Sequence, residues 1–245
     1  MNALLSVHDL TKRFGGTPAV DGVSFALEPG EILGVVGPSG SGKSALVDCV
    51  FGQLAPSSGE VRLDGRPITG LPARELSRLG LARTFQRVQL FPQLTVRDNL
   101  IAAGQEHRGS LWSRLVGPAD AGLAGTAAEM MAFFRLDDLA DQVAGTVTDG
   151  QQKLLDTAMA FMARPRLVPL EDPAVGLDEA ALGALRERLR AINAQAGATF
   201  MIVDRDLHFV TSLATRLLVL GKGRVVAEGD VDTLRNSGVI EAEST

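Results

Sequence analysis

The chain has 245 residues, and 24 Lys and Arg stand against 29 Asp and Glu, so the formal net charge at pH 7 is −5. This acidic balance argues against nucleic acid as the main partner, because nucleic-acid affinity depends on clustered basic charge. The single cysteine, Cys49, excludes an internal disulfide framework. No apolar run reaches the roughly 18 residues of a membrane span, and the amino terminus lacks the basic segment of a signal peptide. We expect a soluble globular protein of a reducing compartment.

Short apolar runs separated by glycine turns predict strands in the first part of the chain. The predicted strands cover residues 6–10, 23–27, 31–36 and 60–63. The first two are typical of an antiparallel layer, whereas 31–36 (EILGVV) is compact and apolar, as in a buried parallel strand. A glycine-rich segment follows it, and residues 43–52 predict a helix.

Strand-like runs disappear between about residue 87 and residue 150. Apolar residues at helical spacing predict helices over 96–103, 125–134 and 136–143. Residues 108–125 contain Gly, Ser, Pro and the only Trp, which predicts a loop-rich insertion. We interpret residues 87–150 as a helical subdomain inserted into a core made of residues 1–86 and 151–245.

After residue 150, strands and helices alternate. The predicted elements are a helix over 151–163, a strand over 167–170, a helix over 179–194, a strand over 199–203 and a hairpin of 217–220 with 224–227. This alternation predicts a mainly parallel sheet covered on both faces. The predicted fold class is therefore α/β, with an additional antiparallel β layer and the inserted helical subdomain.

Residues 37–44 (GPSGSGKS) match the phosphate-binding pattern G-x-x-x-x-G-K-[ST]. The glycines allow successive backbone N–H groups to point inward, and the following helix adds its positive amino-terminal end. Lys43 is expected to reach the β- and γ-phosphates, and the Ser44 hydroxyl to bind Mg²⁺. A chance match is the alternative, but the pattern lies between an apolar strand and a helix, as it must. The pattern alone is shared by kinases, GTPases, motors and transporters.

Six further segments, one before the loop and five after it, occur in an order that is typical of one protein family. They are LTKRFGG at 10–16, ARTFQ at 82–86, DGQQKLL at 149–155, LVPLEDP at 167–173, AVGLD at 174–178 and IVDRDL at 202–207. Together they resemble the ATP-binding cassette of ABC transporters, a P-loop NTPase, over essentially the whole chain. AVDGVSF at 19–25, LFPQLTVRDNL at 90–100 and VIEA at 239–242 resemble, more narrowly, the cassette subunit of branched-chain amino-acid importers. The resemblance implies an ATP hydrolase, with ATP and Mg²⁺ as cofactors, that powers import.

The resemblance also implies which residues hold the nucleotide. Phe14 would stack on adenine, and Gln86 would contact Mg²⁺ or the attacking water; the alternatives are a core phenylalanine and a surface glutamine. The other residues implied in nucleotide binding are Val20, Gly37, Pro38, Ser39, Gly40, Ser41, Gly42, Lys43, Ser44 and Ala45.

Cassettes of this family work as head-to-tail dimers, so the resemblance implies partners. ATP lies between the P-loop of one subunit and the signature segment of the other, which here includes Thr148, Gly150 and Gln151, while Asp178 crosses the interface. Asp178 could at the same time cap the helix that begins near residue 179. A second cassette, identical or a sibling, and two membrane-spanning permease subunits are expected, with a substrate-binding protein as an indirect partner. The chain would be peripheral at the cytoplasmic face of the membrane.

A groove for a cytoplasmic helix of the permease is expected at residues 86–94 and the helix that follows. Leu90 and Phe91 are candidate apolar contacts, and the alternative is that they belong to the subdomain core.

The catalytic positions depart from the family pattern. The strand that begins at residue 167 usually ends in Asp, which holds Mg²⁺, and then Glu, which polarises water; here Glu171 precedes Asp172. Asp is one methylene, roughly 1.5 Å, shorter than Glu, and a misplacement near 1 Å costs on the order of 10²-fold in rate. Glu171 would also crowd the strict octahedral shell of Mg²⁺.

The switch and signature positions are changed as well. The switch histidine falls on Arg205, which either holds the γ-phosphate or pairs with a neighbouring carboxylate: Asp204, Asp206, Glu171 or Asp172. The signature L-S-G-G-Q falls on residues 147–151, where Thr148 keeps a hydroxyl and Asp149 adds a negative charge that Lys153 could screen.

We therefore expect a transport ATPase that binds Mg-ATP and hydrolyses it slowly. The alternative is a degenerate regulatory subunit paired with an active sibling cassette. A cassette acting on nucleic acid or ribosomes, or a P-loop kinase, fits the sequence less well.

Overall fold

A computed structural model of the protein describes residues 3–82, 88–105 and 121–237, and two β-sheets organise these residues. The strands are β1 (Leu5–Phe14), β2 (Thr17–Leu27), β3 (Ile32–Val36), β4 (Ser58–Leu63), β5 (Arg66–Pro67), β6 (Leu167–Glu171), β7 (Thr199–Val203), β8 (Arg216–Gly221) and β9 (Arg224–Asp230). One sheet is antiparallel, in the order β2-β1-β4-β5. The other has the order β6-β7-β3-β8-β9 and is parallel except for the β8–β9 hairpin. The predicted α/β class with an antiparallel layer is confirmed.

Helices cover the larger sheet and complete the fold. They are α1 (Lys43–Val50), α2 (Ala73–Arg78), α3 (Val96–Gln105), α4 (Ala121–Phe134), α5 (Asp149–Phe161), α6 (Glu179–Ala196), α7 (Leu207–Leu213) and α8 (Val231–Asn236). None of the helices in the described ranges combines the length and the apolar character that a membrane crossing needs.

Alternating side chains of the central strands supply two separate cores. In β3, Leu33 and Val35 pack toward the antiparallel sheet and α1, whereas Ile32 and Val36 pack toward the helices on the other face. This is the period of two that a strand imposes on its side chains. Because both faces are covered, every residue of β3 is buried, as expected for the central strand of a parallel sheet.

The helix predicted over residues 136–143 is wrong. The structure has a 3₁₀ turn at Asp137–Leu139 instead. The carbonyl oxygens of Ala140 and Gln142 accept the amide hydrogens of Arg97 and Val96 at the start of α3. Those carbonyls cannot also accept the bonds of a continuing helix, so a long-range pairing overrides the local apolar spacing.

The predicted insertion at 108–125 and the expected subdomain boundary at residue 150 can be compared with the structure in part. The predicted insertion at 108–125 falls outside the described residues up to 120, and residues 121–125 are helical, as part of α4. Helices α3, α4 and α5 pack on one another, and α5 begins at Asp149, across the expected boundary at 150. The division into a core and an inserted subdomain stays a prediction.

Pro169 lies in β6, which in the described residues is the terminal strand of the larger sheet and carries, on the side away from β7, a single bridge between Leu167 and Leu81. Proline has no amide hydrogen to give to a ladder and is therefore confined to edge strands or bulges.

The only cysteine provides a test of the core around α1. Cys49 is 2% exposed, and burial raises the pKa of its thiol to about 11, with Lys12 opposing and Asp48 reinforcing the shift. At pH 8 about one thiol in a thousand would then be a thiolate. We expect the native protein to resist iodoacetamide at pH 8 and the protein in guanidinium chloride to react stoichiometrically; rapid labelling of the native protein would contradict this packing.

Candidate functional site

A cavity of about 300 Å³ opens where the glycine-rich loop meets the ends of β6 and β7. Its lining residues are Ala19, Ser39, Gly40, Gly42, Lys43, Ser44, Ala45, Glu171, Asp172, Val203 and Arg205. Parallel strands end at the same edge of a sheet, which is where α/β proteins bind ligands. The structure thus brings together the loop, the inverted carboxylates and the switch position.

Two glycines of the loop are required by close backbone approach. Gly37 has φ +145° and Gly42 has φ +104°. A Cβ atom on Gly42 would lie 2.2 Å from the carbonyl oxygen of Ala19, and one on Gly37 would lie 2.1 Å from that of Leu220. No side chain fits at either position without a backbone shift.

The side chain of Lys43 is held by backbone carbonyl groups of the same loop. Its Nζ donates to the carbonyl oxygens of Gly37 (2.6 Å) and Pro38 (2.8 Å) and to the buried Ser41 Oγ (3.3 Å). Burial and then the nearby Arg205 guanidinium lower the pKa of Lys43, against the Asp172 carboxylate, which raises it. The ammonium group is therefore poised between loop carbonyls and the cavity.

The start of α1 also faces this loop. Gly42 is its N-cap and has no side chain, so no side-chain cap satisfies the first amide groups of the helix. A helix amino terminus with free N–H groups favours an anion such as a phosphate.

The two inverted carboxylates differ in backbone conformation. Glu171 is the last residue of β6 and is 5% exposed. Asp172 has φ +44°, in the left-handed region, and its amide donates to the carbonyl oxygen of Val203 at 2.7 Å. Asp enters this region more readily than most residues other than glycine and asparagine. Sequence reasoning missed this turn; its only local signal is the proline that follows.

The donor set suits Mg²⁺ together with a triphosphate. The Ser44 hydroxyl and the carboxylates of Glu171 and Asp172 share the cavity, and oxygen ligands are those that Mg²⁺ prefers. The described residues contain no group of three or more His, Cys, Asp or Glu side chains that could hold a metal ion, here or at another place, so a metal in this cavity would also need the serine and phosphate oxygens. Gln86, the other expected ligand, lies outside the described residues.

Arg205 is exposed and lines the cavity. Within the described part of the chain it forms no ion pair, so the alternative that it is neutralised by a neighbouring carboxylate is not what the structure shows. Asp204 instead accepts the amide hydrogens of Ala174 and Asp206, both at 2.8 Å. Sequence reasoning considered Asp204 only as a partner of Arg205.

The side chain of Lys153 is buried next to the end of β6 and does not extend toward Asp149. It is 4% exposed, and its Nζ donates to the carbonyl oxygen of Glu171 at 3.4 Å. Burial lowers the pKa of Lys153, while Asp156, then Asp172, Asp204 and Glu171, raise it. Its charge is therefore directed toward the site, and the idea that it screens Asp149 is wrong, because the carboxylates that act on the buried Lys153 do not include the exposed Asp149.

The signature residues lie outside the cavity, at the start of α5. Thr148 caps this helix by accepting the Gln151 amide hydrogen at 3.3 Å, and Gln151 Oε1 accepts that of Thr148 at 3.0 Å, which completes a capping box. A Cβ on Gly150 would contact Leu177 at 3.4 Å. Asp178 caps α6 through the Ala181 amide at 2.8 Å, as the helix-cap interpretation predicts.

Two expected nucleotide contacts differ in exposure. Phe14 is 51% exposed, with Lys12 Nζ 5.2 Å from its ring centroid, so it is not a core residue. Val20 is buried in the core, and its neighbour Ala19 lines the cavity instead. The roles of both in nucleotide binding stay predictions.

A second cavity, of about 670 Å³, lies between α2, α3, α5 and residues 89–91. Leu90 and Phe91 both line it; Leu90 also packs partly against the core, whereas Phe91 is 54% exposed. Asp156 lies in its wall and accepts the Gln89 amide hydrogen at 3.0 Å. Leu90 thus belongs partly to the core and Phe91 does not, and the interpretation of this cavity as a groove for a permease helix stays a prediction.

The first cavity and the sheet around it define a P-loop nucleotide-binding protein. Comparison with known families extends this: a family model described as ABC transporter matches residues 20–175. The chain therefore belongs to the ABC transporter family, in which it is an ATP-binding subunit.

Relatives and solved structures agree with this assignment. The chain is 34% identical, over 98% of its length and 96% of the relative's, to the high-affinity branched-chain amino acid transport ATP-binding protein BraF of Pseudomonas aeruginosa. It is 35% identical, over 91% of its length and 60% of the relative's, to the methionine import ATP-binding protein MetN of Rhizobium etli. A crystal structure of an ABC transporter ATP-binding cassette in its ADP conformation superimposes with a TM-score of 0.87 at 28% identity, over 98% of this chain and 96% of the other.

Substituting alanine at two loop glycines tests the close backbone packing of the loop at residues 37–44. Gly42→Ala and Gly40→Ala both place a side chain at positive φ, but only the Gly42 variant also collides with a backbone oxygen; nothing lies within 4 Å of a Cβ on Gly40. We expect Gly42→Ala to lower the free energy of unfolding by about 2 kcal/mol more than Gly40→Ala. Urea unfolding without nucleotide measures the difference, and equal losses would contradict the observed loop packing.

Proposed function

We propose that the chain is the ATP-binding and ATP-hydrolysing subunit of an importer for branched-chain or related amino acids, and that its hydrolysis is slow. One observation carries the proposal: Lys43, Ser44, Glu171, Asp172 and Arg205 line a single cavity at the end of the parallel sheet. This is the residue set needed to hold a nucleoside triphosphate and to act on its terminal phosphate.

Binding in this proposal relies on the loop. The α1 amino terminus and the backbone N–H groups of residues 39, 40 and 42–44 would hold the phosphates, and Lys43 would exchange its loop carbonyl partners for phosphate oxygens. Ser44 and Glu171, with Gln86, would hold Mg²⁺, which neutralises the charge that develops on the phosphates. Phe14 would contact the adenine ring.

Hydrolysis in this proposal relies on Asp172 and Arg205. Asp172 would orient the attacking water, and Arg205 would donate to the γ-phosphate, a role for which its free position in the cavity suits it. The Asp172 carboxylate is one methylene closer to the backbone than a glutamate there, and its backbone is fixed by the bond to Val203. The water is then held too far from its target, which is the physical reason for slow turnover.

The exposed elements outside the cavity suit a second cassette. Thr148, Gln151 and Asp178 would face the nucleotide of a partner in a head-to-tail dimer, and Val175, three residues before Asp178, is 60% exposed. The groove lined by Leu90 and Phe91 would receive a cytoplasmic helix of a membrane permease subunit. This assembly would place the chain at the cytoplasmic face of a membrane, with a substrate-binding protein as an indirect partner and no nucleic acid involved.

The cargo class rests on the relatives. BraF is named for branched-chain amino acids and MetN for methionine, so a hydrophobic amino acid is the shared cargo chemistry. The described cavities assign no cargo site to this chain, and selection would fall to the membrane and binding-protein partners.

A regulatory subunit paired with an active sibling cassette is the second candidate. The Glu171 and Asp172 order together with Arg205 favours it, since these are changes at hydrolysis positions while the loop is intact. A sibling cassette with Asp-Glu and histidine at these positions would favour division of labour.

Paired measurements of ATP binding and hydrolysis test the proposed function. We expect micromolar binding of Mg-ATP by titration calorimetry and turnover at least tenfold below that of a cassette with the usual Asp-Glu order. Lys43→Ala should remove the binding, because the phosphates lose their main cation. No binding by the unmodified chain would contradict the proposal, and ordinary turnover would contradict its slow-hydrolysis part.

Exchanging the two carboxylates tests the cause of slow turnover. The double variant Glu171→Asp with Asp172→Glu restores the longer reach, and we expect kcat to rise about tenfold or more. Glutamate at φ +44° is less favourable than aspartate, so a lower melting temperature should accompany the gain. Unchanged kcat in a folded double variant would place the defect elsewhere, with Arg205 the next position to test.

A further inference from the structure

Asp204 joins two loops that are far apart in the chain. It follows β7, is 4% exposed, and uses both carboxylate oxygens: Oδ2 accepts the Ala174 amide hydrogen and Oδ1 accepts that of Asp206, each at 2.8 Å. The first donor belongs to the loop between β6 and α6, and the second to the turn that leads into α7. One buried side chain thus closes a contact across 30 residues of sequence.

Each of these loops carries a residue of the proposed reaction. The loop that contains Ala174 begins at Asp172 in the cavity and ends at Asp178, which caps α6. The turn that contains Asp206 begins at Arg205, which lines the same cavity. Asp204 therefore connects the exposed surface around Val175 with the guanidinium at the cavity wall.

Packing alone does not explain an acidic side chain at this position. Burial raises the pKa of Asp204, as do the nearby Asp172 and Asp206 carboxylates, and the two amide donors oppose that shift. A buried carboxylate stabilises a fold less well than an apolar side chain of the same size. What it provides is geometry, because two fixed amide donors on one carboxylate hold two loops in a single arrangement.

We propose that Asp204 is a positioning residue that makes the loop at residues 174–178 and the Arg205 turn move as one unit. The approach of a second cassette to the loop would then set the position of Arg205, although Arg205 need not touch that cassette. This inference rests on the proposed function for its role in hydrolysis, but the mechanical connection itself concerns only this chain.

The variant Asp204→Asn separates the two bonds. Asparagine keeps the size, but its Nδ2 would face one of the two amide donors, so one bond is lost. Asp206→Asn is the matched control: it removes the same charge two residues further on, and asparagine replaces aspartate as N-cap of α7 without loss.

The measurements are amide hydrogen exchange of residues 172–178 and 204–210, the melting temperature, and kcat with KM for ATP. For Asp204→Asn we expect exchange to accelerate at least tenfold in both segments and kcat to fall at least tenfold, with KM within twofold and the melting temperature within a few degrees. The control should leave all four unchanged. Acceleration in one segment only, or an unchanged kcat despite measurable wild-type turnover, would overturn the proposal.

The unmodified protein gives a second test if Asp204→Asn does not fold. The Ala174 and Asp206 amides should exchange at equal protection and shift together when Mg-ADP is added; protections that differ more than tenfold would overturn the connection. If the connection holds and no variant, wild type included, hydrolyses ATP, then the proposed function fails while the mechanical inference stands.

Discussion

A buried cluster of charges at the ends of β6 and β7 is the constraint on which the rest of the site depends. The ammonium group of Lys153 lies within the field of Glu171, Asp172 and Asp204, and its Nζ binds the backbone where β6 ends. Charges this deeply buried persist only when they are mutually compensated and hydrogen-bonded. Polar contacts therefore join the start of α5, the end of β6, the Ala174 loop and the Arg205 turn, in addition to the apolar packing that these segments share.

Under the proposed function, this arrangement separates the residues that bind the nucleotide from those that hydrolyse it. Binding depends on the loop between β3 and α1, where Gly37 and Gly42 fit against backbone oxygens and admit no side chain. In the proposed function, hydrolysis depends on the charge cluster, where Asp172 stands in a left-handed conformation with its amide bound to Val203. A change in one part need not disturb the other, which is how an intact phosphate loop can coexist with altered catalytic positions.

The contiguous patterns were predictable and the long-range ones were not. The loop at 37–44 and the strand over 199–203 could be read from local residues, because their chemistry or apolar character is contained in a few adjacent positions. The helix expected over 136–143 failed because two of its carbonyls serve α3, and Lys153 was misplaced because its hydrogen-bond acceptor, the Glu171 carbonyl oxygen, lies on β6. Asp204 could not be predicted for the same reason. Its carboxylate accepts the amide hydrogen of Ala174, 30 residues away, and such a bond leaves no periodic signal in the sequence.

The most direct test of the account is the fate of one bound ATP molecule. Protein in excess is mixed with radiolabelled Mg-ATP and then chased with unlabelled ATP, and the fraction of label hydrolysed is compared with the fraction released intact. If the loop binds normally and Asp172 is poorly placed, most of the label will leave as ATP. Near-complete conversion to ADP would contradict the account, because it would mean that the inverted carboxylates position water as well as the usual order does.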